Sequence, residues 1–382
     1  MSQFVTPHYI FTGENALDDA KNVIGTFGKK ALLVTGRHIG KSPMFKSLTD
    51  ALNDIGTDYA VFDGITGEPT DTMIAEGLEI YKTENCDFLI GIGGGSPLDS
   101  AKAIAAMSVN PGKICDYNGK VIEGKVPPIV AIPTTAGTGS EATKFTIVTD
   151  TEKGIKMLLK GDCLVPEAAV INPEYTVDMP KTVTAATGLD ALTHAVEAYT
   201  SVKAGDLTDD LAVSAVKRIV KYLPRVYKNG CDMKARNQML IAAFEAGICI
   251  NNSSVTIVHG MSRPIGALFH VPHGLSNAML LKECIGFALD GAYERFADLG
   301  RAVGAATKDD VDEMAAKKFL AKLSEVCEAC EVPTLKEYGI DRDKFHAVIE
   351  KMAEDAIASG SPANTRKQVT KTDCIEIYEK LI

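Results

Sequence analysis

Histidine is concentrated in one short stretch of the chain. Three of the seven histidines in 382 residues, His259, His270 and His273, lie within fifteen positions of one another, among apolar and small residues. Imidazole is the commonest metal ligand among side chains, and a buried ring needs a partner for each nitrogen. The cluster therefore predicts a metal site or a catalytic network. His270 is left out of the ligand set, because a backbone carbonyl is enough to satisfy its ring.

A second stretch supplies a carboxylate and another imidazole at helical spacing. Asp190 and His194 are four residues apart, so they project from one face of a helix that we expect to begin near Gly188. Such a pair by itself is more often a surface pair or a helix cap. Together with His259 and His273, it predicts a divalent-cation site with one carboxylate and three imidazoles.

The composition is that of an ordinary globular chain, long enough for two cores. Hydrophobic residues make up 46% of the sequence and charged residues 24%. A net charge of −10 argues against binding to nucleic acid or an anionic membrane. We find no secretory leader and no run long enough to span a bilayer, and we interpret the protein as cytoplasmic. Nine scattered cysteines, an odd number, do not indicate a disulfide framework.

The first half of the chain alternates between short apolar runs and amphipathic stretches. Predicted strands cover 31–35, 59–62, 87–91 and 129–132, and predicted helices cover 44–55 and 69–83; further strand-like runs cover 146–149, 155–159 and 168–171. This βαβαβ order predicts a parallel sheet with helices on both faces. Ligands of such folds bind at the carboxyl ends of the strands.

A glycine-rich turn follows the third predicted strand. Residues 93–97 read Gly-Gly-Gly-Ser-Pro and lead into a helix that contains Lys102. Glycines let a backbone approach a phosphate closely, and the free N–H groups at a helix start favour an anion. The turn lacks the usual G-x-G-x-x-G spacing and a Walker lysine, so it is also consistent with a tight strand-to-helix corner.

A second loop strengthens the interpretation as a phosphate site. Residues 133–141 carry four hydroxyl side chains and two glycines after the fourth predicted strand. Hydroxyls beside flexible backbone hydrogen-bond phosphate or ribose oxygens, although an exposed Ser/Thr turn has the same composition. Two such loops after strands of one sheet favour a dinucleotide. Lys156, in a following strand-like run, is the natural cation to meet its ribose or phosphate.

Beyond Pro180 long helical patterns replace the strand signals. Predicted helices cover 183–201, 207–228, 233–250, 255–268, 275–288, 292–303 and 314–331. We therefore predict an α/β domain over 1–180 and an all-helical domain over 181–382. The metal ligands lie in the second domain and both phosphate loops in the first.

These motifs, in this order, resemble the iron-containing (group III) alcohol dehydrogenase family over essentially the whole chain. The matching runs are Gly93-Gly-Gly-Ser96-x-x-Asp99-x-x-Lys102, Pro133-Thr-Thr-Ala-Gly-Thr138, Gly188-x-Asp190-Ala-x-x-His194-Ala-x-Glu197, His259-Gly260 and His273-Gly274. The resemblance implies an α/β dinucleotide-binding domain with a parallel sheet and an all-α metal-binding domain, the architecture of the dehydroquinate synthase-like superfamily. It also implies a homo-oligomer.

The resemblance also implies the ligands of each site. The metal ligands would be Asp190, His194, His259 and His273. The residues assigned to the nicotinamide dinucleotide, including two added beside the motifs, are Gly36, Gly94, Gly95, Ser96, Asp99, Thr134, Thr135, Thr138 and Lys156. A divalent cation in this donor set leaves room for a substrate oxygen and acts as a Lewis acid, while hydride passes between the nicotinamide and the substrate carbon. The donors suit Fe²⁺ or Zn²⁺, the resemblance favours iron, and no proton relay is identified.

Two positions depart from the family pattern. Many NAD-dependent members have an Asp after the first strand that binds the ribose 2′-hydroxyl, whereas this chain has Gly36 followed by Arg37. Without that carboxylate Arg37 could bind a 2′-phosphate or be an ordinary loop residue, so NAD(H) and NADP(H) both stay open. Many relatives have a histidine where this chain has Arg263, four residues after His259.

An arginine at position 263 is a poor proton shuttle but binds carboxylate, sulfonate or phosphonate groups with a planar fork. Our hypothesis is a short aldehyde with an anionic far end, such as sulfoacetaldehyde or succinic semialdehyde. The alternative is that Arg263 pairs with a nearby carboxylate or with the cofactor pyrophosphate.

The expected function is a metal-dependent NAD(P)H aldehyde reductase or alcohol dehydrogenase acting on a small molecule, with no nucleic-acid or membrane partner. One alternative is a dehydroquinate-synthase-like or glycerol-phosphate-type enzyme on the same scaffold, which would be expected to have more basic residues near the histidines. A metal-storage role is the other, and it predicts no binding of NAD(P)H.

Overall fold

Two compact units make up the chain in the computed structural model, which describes residues 3–382. The units are Met1–Asp178 and Met179–Ile382, so the division falls near the predicted position 180. Within residues 3–382 no single helix is both long and apolar enough to cross a bilayer. Two consecutive helices meet that requirement only jointly, and they are bent by 104°.

The first unit contains a parallel sheet with helices. Its strands are β1 (Tyr9–Thr12), β2 (Lys30–Val34), β3 (Asp58–Phe62), β4 (Phe88–Gly93), β5 (Ile129–Pro133), β6 (Phe145–Asp150), β7 (Ile155–Lys160) and β8 (Ala168–Ile171). Its helices are α1 (Ala16–Ile24), α2 (Pro43–Asp54), α3 (Asp71–Thr83) and α4 (Gly95–Val109). Six strands pair in parallel in the order β1-β8-β5-β4-β2-β3, which confirms the predicted parallel sheet, while β6 and β7 form a separate antiparallel pair.

The sheet of the first unit lies between two apolar cores. Leu32 and Leu89 are fully buried in one core, and Leu33 and Ile90 are fully buried in the other. Strands covered on both faces read as continuous apolar runs, which is why the inner strands are visible in the sequence. Because β4 and β5 are neighbours in parallel, with Gly93 opposite Pro133, the loops that follow them begin side by side.

Two elements of the first unit, β1 and α1, precede the first predicted strand. β1 is an edge strand with alternating exposure, and its Ile10 is 43% exposed. An edge strand that is covered on one face lacks the long apolar run of an inner strand. With only four residues, β1 is therefore too short for its alternating pattern to predict a strand.

The second unit consists of helices, with no β-strand among residues 179–382, all of which the structure describes. They are α5 (Lys181–Thr200), α6 (Asp206–Lys228), α7 (Met233–Ser253), α8 (Ile257–Phe269), α9 (His273–Ala288), α10 (Tyr293–Ala302), α11 (Asp312–Ala329), α12 (Leu335–Tyr338), α13 (Arg342–Ala358) and α14 (Lys371–Glu379). The predicted division into an α/β part and a helical part is confirmed. Every residue from 188 to 200 of α5 is buried, so this helix passes through the interior of the unit.

The expectation that a helix begins near Gly188 is wrong. α5 already begins at Lys181, directly after Pro180, so Gly188 lies inside it. A Cβ atom at Gly188 would lie 2.4 Å from Cδ1 of Leu223. This glycine therefore permits the close packing of α5 against α6 and does not mark a helix start.

Candidate metal centre and dinucleotide loops

The buried face of α5 carries three ionisable side chains. Asp190, His194 and Glu197 are spaced i, i+4 and i+7, so they lie along one side of the helix. They are only 3%, 5% and 0% exposed, respectively. Charged groups are rarely buried to this degree unless they are paired or bind a metal.

Two further helices bring histidines to Asp190. α8 follows the sharp bend after α7 and carries His259, which is 2% exposed, and α9 begins with His273. A Cβ atom at Gly274 would lie 2.1 Å from the backbone oxygen of Ala186 in α5. The glycine therefore allows α9 to touch the α5 backbone, and this contact places His273 beside Asp190.

The Asp190 carboxylate lies among three imidazoles. Its Oδ1 atom is 3.6 to 3.8 Å from the Nε2 atoms of His259, His194 and His273. The rings of His194 and His259 stack with their centroids 4.6 Å apart. Ligand atoms that share a tetrahedral metal at about 2.1 Å lie roughly 3.4 Å from one another. The arrangement thus suits a divalent cation. Asp190, His259 and His273 each offer a ligand atom within 4.8 Å of the other two, and Nε2 of His194 lies 3.8 Å from Oδ1 of Asp190.

The charges of the cluster favour cation binding. Burial by itself raises the pKa of Asp190, but the fields of His194 and His273 and the hydrogen bond with His259 outweigh it and hold the pKa far below its usual value. His273 is 40% exposed, yet desolvation outweighs the field of Asp190 and lowers its pKa. The carboxylate is therefore ionised and the His273 ring neutral at pH 7, as ligation requires.

Glu197 fixes the orientation of His259. The Nδ1–H group of His259 donates to Oε2 of Glu197 at 2.5 Å, and Oε1 accepts from Thr256 Oγ1 at 2.7 Å and from the backbone N–H of Val258 at 2.6 Å. Burial raises the pKa of Glu197, but the neighbouring His259 lowers it by more. This bond directs Nε2 of His259 toward Asp190, which is the usual way that proteins orient a metal-binding imidazole.

Sequence reasoning gave Glu197 no role and did not find Asn277. Asn277 is fully buried, and its Nδ2 atom lies 2.7 Å from Oδ1 of Asp190, 3.1 Å from Nε2 of His259 and 3.4 Å from Nε2 of His273. The available signal was spacing alone. Glu197 is three residues after His194, and Asn277 is four residues after His273, so each shares a helix face with a predicted ligand.

Arg263 lies one helical turn after His259 on α8. Its Nη1 atom donates to Oγ of Ser361 at 3.1 Å. Within residues 3–382, no carboxylate oxygen lies within 4.0 Å of its guanidinium. Desolvation lowers the pKa of Arg263 and the field of Glu197 raises it, but a guanidinium stays charged at neutral pH. The structure therefore does not show the predicted alternative of a nearby carboxylate partner.

The two phosphate loops of the first unit touch each other. The backbone N–H of Thr134 donates to the oxygen of Gly93 at 2.8 Å. A Cβ atom at Gly95 would lie 2.9 Å from Cγ2 of Thr138, and one at Gly94 would lie 3.4 Å from Cγ2 of Thr135. Gly94 caps α4, and Ser96 lies in its first turn, where backbone N–H groups have no partner inside the helix. The arrangement suits an anion such as a pyrophosphate.

A buried lysine holds the hydroxyl-rich loop in place. Nζ of Lys102, which is fully buried, donates to Ser140 Oγ at 2.9 Å and to the backbone oxygen of Thr143 at 2.8 Å. Ser140 Oγ in turn donates to Oδ1 of Asp99 at 2.5 Å, and Oδ2 of Asp99 accepts from the N–H of Ile147 at 2.9 Å. Both Asp99 oxygens therefore bind protein groups, and its contact with a cofactor stays a prediction.

Gly36 and Lys156 occupy different surroundings. A Cβ atom at Gly36, just after β2, would lie 2.8 Å from the backbone oxygen of Ile65, so a larger residue does not fit without a shift. The neighbouring Arg37 is exposed. Lys156 lies on β7, outside the parallel sheet, and its Nζ atom forms an ion pair with Glu68 at 2.6 Å. Its contact with a cofactor also stays a prediction.

Comparisons with known proteins cover both units. Residues 7–173 match the family model of the iron-containing alcohol dehydrogenases, and residues 184–382 match the C-terminal model of the Fe-containing alcohol dehydrogenase family. The chain is 34% identical over 365 residues to the NAD-dependent methanol dehydrogenase of Bacillus methanolicus, which covers 95% of this chain and 96% of that protein.

Solved structures of similar proteins also match the whole chain. A crystal structure of 1,3-propanediol oxidoreductase matches with a TM-score of 0.96 and 32% identity over 100% of both chains. Sulfoacetaldehyde reductase from Bifidobacterium kashiwanohense in complex with NAD⁺ matches with a TM-score of 0.89 and 27% identity, over 100% of this chain and 98% of that chain. The chain therefore belongs to the iron-containing alcohol dehydrogenase family of oxidoreductases.

Proposed function

We propose that this protein is a metal-dependent oxidoreductase that interconverts an aldehyde and its alcohol with a nicotinamide cofactor. The buried Asp190 carboxylate, with three imidazole Nε2 atoms within 3.8 Å, carries the proposal. The metal would be held by Asp190, His194, His259 and His273. Family membership supports Fe²⁺ as the native ion, and Zn²⁺ is the alternative that suits the same donors.

The chain has a residue suited to each requirement of this chemistry. A divalent cation at this site supplies a Lewis acid for the substrate oxygen. Asp190 would provide the negative charge that retains the cation, and Glu197 orients His259 by accepting from Nδ1, so that Nε2 points toward Asp190. The hydrogen bonds of Glu197 with Thr256, Val258 and His259 hold this imidazole in place before a cation binds.

The first unit supplies the cofactor site in this proposal. The dinucleotide phosphates would bind to the N–H groups at the start of α4, beside the hydroxyls of Thr135 and Thr138. Lys102 donates to Ser140, and the backbone N–H of Ser140 donates to the Thr138 hydroxyl, so Lys102 helps to hold this hydroxyl in position. The exposed Arg37, next to Gly36, supports use of NADPH as well as NADH, because a guanidinium binds a 2′-phosphate.

Arg263 supports an aldehyde with an anionic far end as the substrate. It presents a cation that has Ser361 as a hydrogen-bond partner and no carboxylate within 4.0 Å among residues 3–382. A guanidinium held one turn from a metal ligand and left without a counter-ion favours a carboxylate or sulfonate on the ligand. The similarity to a sulfoacetaldehyde reductase is consistent with such a substrate.

The test is turnover by metal-stripped protein refilled with Fe²⁺ or Zn²⁺. NADH and NADPH oxidation would be followed with ethanal and propanal as neutral aldehydes and with sulfoacetaldehyde and succinic semialdehyde as anionic ones. We expect turnover only with metal, and a higher kcat/KM for the anionic aldehydes. Turnover that does not need metal would contradict the assigned centre, and no turnover with any aldehyde would favour another reaction on this scaffold.

A further inference from the structure

Part of the connection between α13 and α14, residues 361–365, lies against α8. A Cβ atom at Gly260 would lie 2.7 Å from Cδ of Pro362, so the glycine permits this close approach. Asn364 fixes the same segment at the start of α8, because its Nδ2 atom donates to the backbone oxygen of Val255 at 2.9 Å. The segment therefore has a defined position along the helix.

Ser361 connects this segment to the guanidinium of Arg263. Its Oγ atom accepts from Nη1 of Arg263 at 3.1 Å, and Ser361 is only 6% exposed. Within residues 3–382, the Ser361 hydroxyl has no acceptor for its own proton, and Arg263 has no second hydrogen-bond partner for its guanidinium. A guanidinium has five N–H groups, so four of them and the Ser361 proton are available to a ligand.

Arg263 lies on the side of α8 that carries the proposed metal ligand. It is four residues after His259, so both side chains project from the same face of the helix. Nε2 of His259 points toward Asp190, and the charge of Arg263 contributes to the lowering of the pKa of His273. A ligand bound by Arg263 would therefore extend toward the proposed metal ligands.

We propose that Arg263 and Ser361 form one subsite for a sulfonate group at the far end of the aldehyde. This inference rests on the proposed function, because it requires that the aldehyde oxygen lies at the metal ligands. Two sulfonate oxygens accept from the guanidinium, and the third accepts from the Ser361 hydroxyl. A carboxylate has only two oxygens, and the guanidinium fork binds both of them. The single charge of Arg263 also matches that of a sulfonate, whereas a phosphonate carries up to two charges.

Titration calorimetry of the metal-loaded protein with two matched alcohols tests the subsite without turnover. The alcohols 2-hydroxyethanesulfonate and 3-hydroxypropanoate differ only in the anionic group, and no nicotinamide cofactor is added. We expect the sulfonate to bind the wild type with a Kd about 10-fold lower, because it gains one more charge-assisted hydrogen bond. Equal affinities, or tighter binding of the carboxylate, would overturn the inference.

Substitutions of Ser361 separate recognition from structural support. Ser361→Ala removes the third donor, so the Kd for 2-hydroxyethanesulfonate should rise by about 10-fold and that for 3-hydroxypropanoate by less than about 3-fold. Ser361→Thr keeps a hydroxyl and should retain the preference. An equal rise for both alcohols in Ser361→Ala would show that Ser361 only supports Arg263, and the inference would be wrong.

The half-buried Ser324 in α11 provides a matched control. Its hydroxyl donates to the backbone oxygen of Leu320 at 3.2 Å, within the same helix. Ser324→Ala should therefore bind both alcohols as the wild type does. The comparison of the two alcohols on the wild type needs no variant, so it decides the question even if Ser361→Ala does not fold.

Turnover separates the failure of this inference from the failure of the proposed function. Reduction of neutral aldehydes by the metal-loaded protein, with equal kcat/KM for sulfoacetaldehyde and 3-oxopropanoate, would refute the sulfonate subsite alone. Absence of turnover with every aldehyde would refute the proposed function. The calorimetric comparison would still decide whether Arg263 and Ser361 discriminate a sulfonate from a carboxylate.

Discussion

At the scale of single residues, Arg263 is the side chain that we propose as the determinant of substrate choice. Its charge has no carboxylate partner within 4.0 Å among residues 3–382, so a bound anion would be its natural counter-ion. Hydrogen bonds to charged groups contribute about 1.5–3 kcal/mol. We therefore expect Arg263→Gln to lower kcat/KM for an anionic aldehyde by about 10- to 100-fold.

Steady-state kinetics with aldehydes of matched length check this expectation. Arg263→Gln should leave kcat/KM for propanal within about 3-fold of the wild type, because only the loss of charge-assisted bonds is large. Arg263→Lys keeps the charge and should retain part of the preference. Parallel losses with neutral and anionic aldehydes would show that Arg263 supports the site structurally and does not recognise an anion.

Glu141 makes the stability of the first unit depend on pH. It is 1% exposed, and burial raises its pKa to about 7 from a model-peptide value of 4.5, against the smaller effect of Lys102. Between these two values the folded state holds a proton that the unfolded chain releases. The stabilisation is therefore complete below pH 4.5 and is lost as pH rises through 7, by up to about 3 kcal/mol.

Glu141→Gln cannot ionise, so it should remove this pH dependence. Urea titrations should show the free energy of unfolding of the variant rising relative to the wild type by up to about 3 kcal/mol between pH 4.5 and 7.5. The exposed Glu76 provides the matched control, since Glu76→Gln should track the wild type at every pH. A difference between Glu141→Gln and the wild type that stays constant with pH would rule out the buried acid as its cause.

The types and spacing of residues were sufficient to predict that the proposed metal ligands come together, but not which side chains surround them. Asp190 and His194 share a helix face, and a cluster of histidines is visible in any sequence. A single asparagine in a helix gives no signal in the sequence that it will lie beside Asp190. The contacts of Asn277 depend on how α9 is rotated against α5. Glu141 was read only as the end of a hydroxyl-rich loop, since its burial is decided by the fold.

At the scale of elements, Gly274 decides how closely α9 approaches α5. A Cβ atom there would lie 2.1 Å from the Ala186 oxygen, and backbone on both sides leaves no flexible group to move. We expect Gly274→Ala to lower the free energy of unfolding by about 1–3 kcal/mol. It should also weaken metal binding, because α9 would carry His273 away from Asp190.

A second glycine in the same helix supplies the control for this substitution. A Cβ atom at Gly286 would meet Leu320 at an ordinary 3.5 Å. Gly286→Ala should be neutral or stabilise the protein by up to about 1 kcal/mol through helix propensity. Thermal unfolding and chelator competition on both variants test the pair. Equal behaviour of the two would refute the close approach as the cause.

Long apolar periodicities predicted the inner strands and most helices of both units, because burial on one or both faces imposes them on the sequence. The prediction failed where packing, not pattern, sets the structure. Every residue of α5 from 188 to 200 is buried, so this part of the helix has no polar face, and Gly188 was predicted as a helix start although the helical pattern extends back to 183. β1 has only four residues, and an alternating pattern of that length is too short to identify a strand from the sequence.

At the scale of the whole molecule, the two candidate sites belong to different units. The proposed metal ligands lie within Met179–Ile382, and the glycine-rich and hydroxyl-rich loops lie within Met1–Asp178. Dinucleotide binding should therefore survive removal of the metal. We expect chelator-treated protein to bind NADH with a Kd within about 3-fold of that of the metal-loaded protein. The metal and the dinucleotide would bind different residues, so the loss of one ligand should change the affinity for the other little.

Fluorescence titration with NADH on both forms provides the measurement. Thermal unfolding of the same samples should show that added Fe²⁺ or Zn²⁺ raises the transition of the second unit, because ions that bind only the folded state stabilise it by mass action. Loss of NADH binding on removal of the metal would contradict independent sites. Absence of NADH binding in both forms would instead favour the metal-storage alternative.

The burial of Lys102 makes it a natural reporter of motion in the hydroxyl-rich loop. Its Nζ atom is enclosed by Ser140, Thr143 and Phe145, with no exposed surface on the residue. An acylating reagent can therefore modify it only when the hydroxyl-rich loop separates from α4, a local opening whose frequency depends on the stability of that junction. The acylation rate of this one lysine, read by mass spectrometry, measures the opening directly, and a bound dinucleotide should slow it.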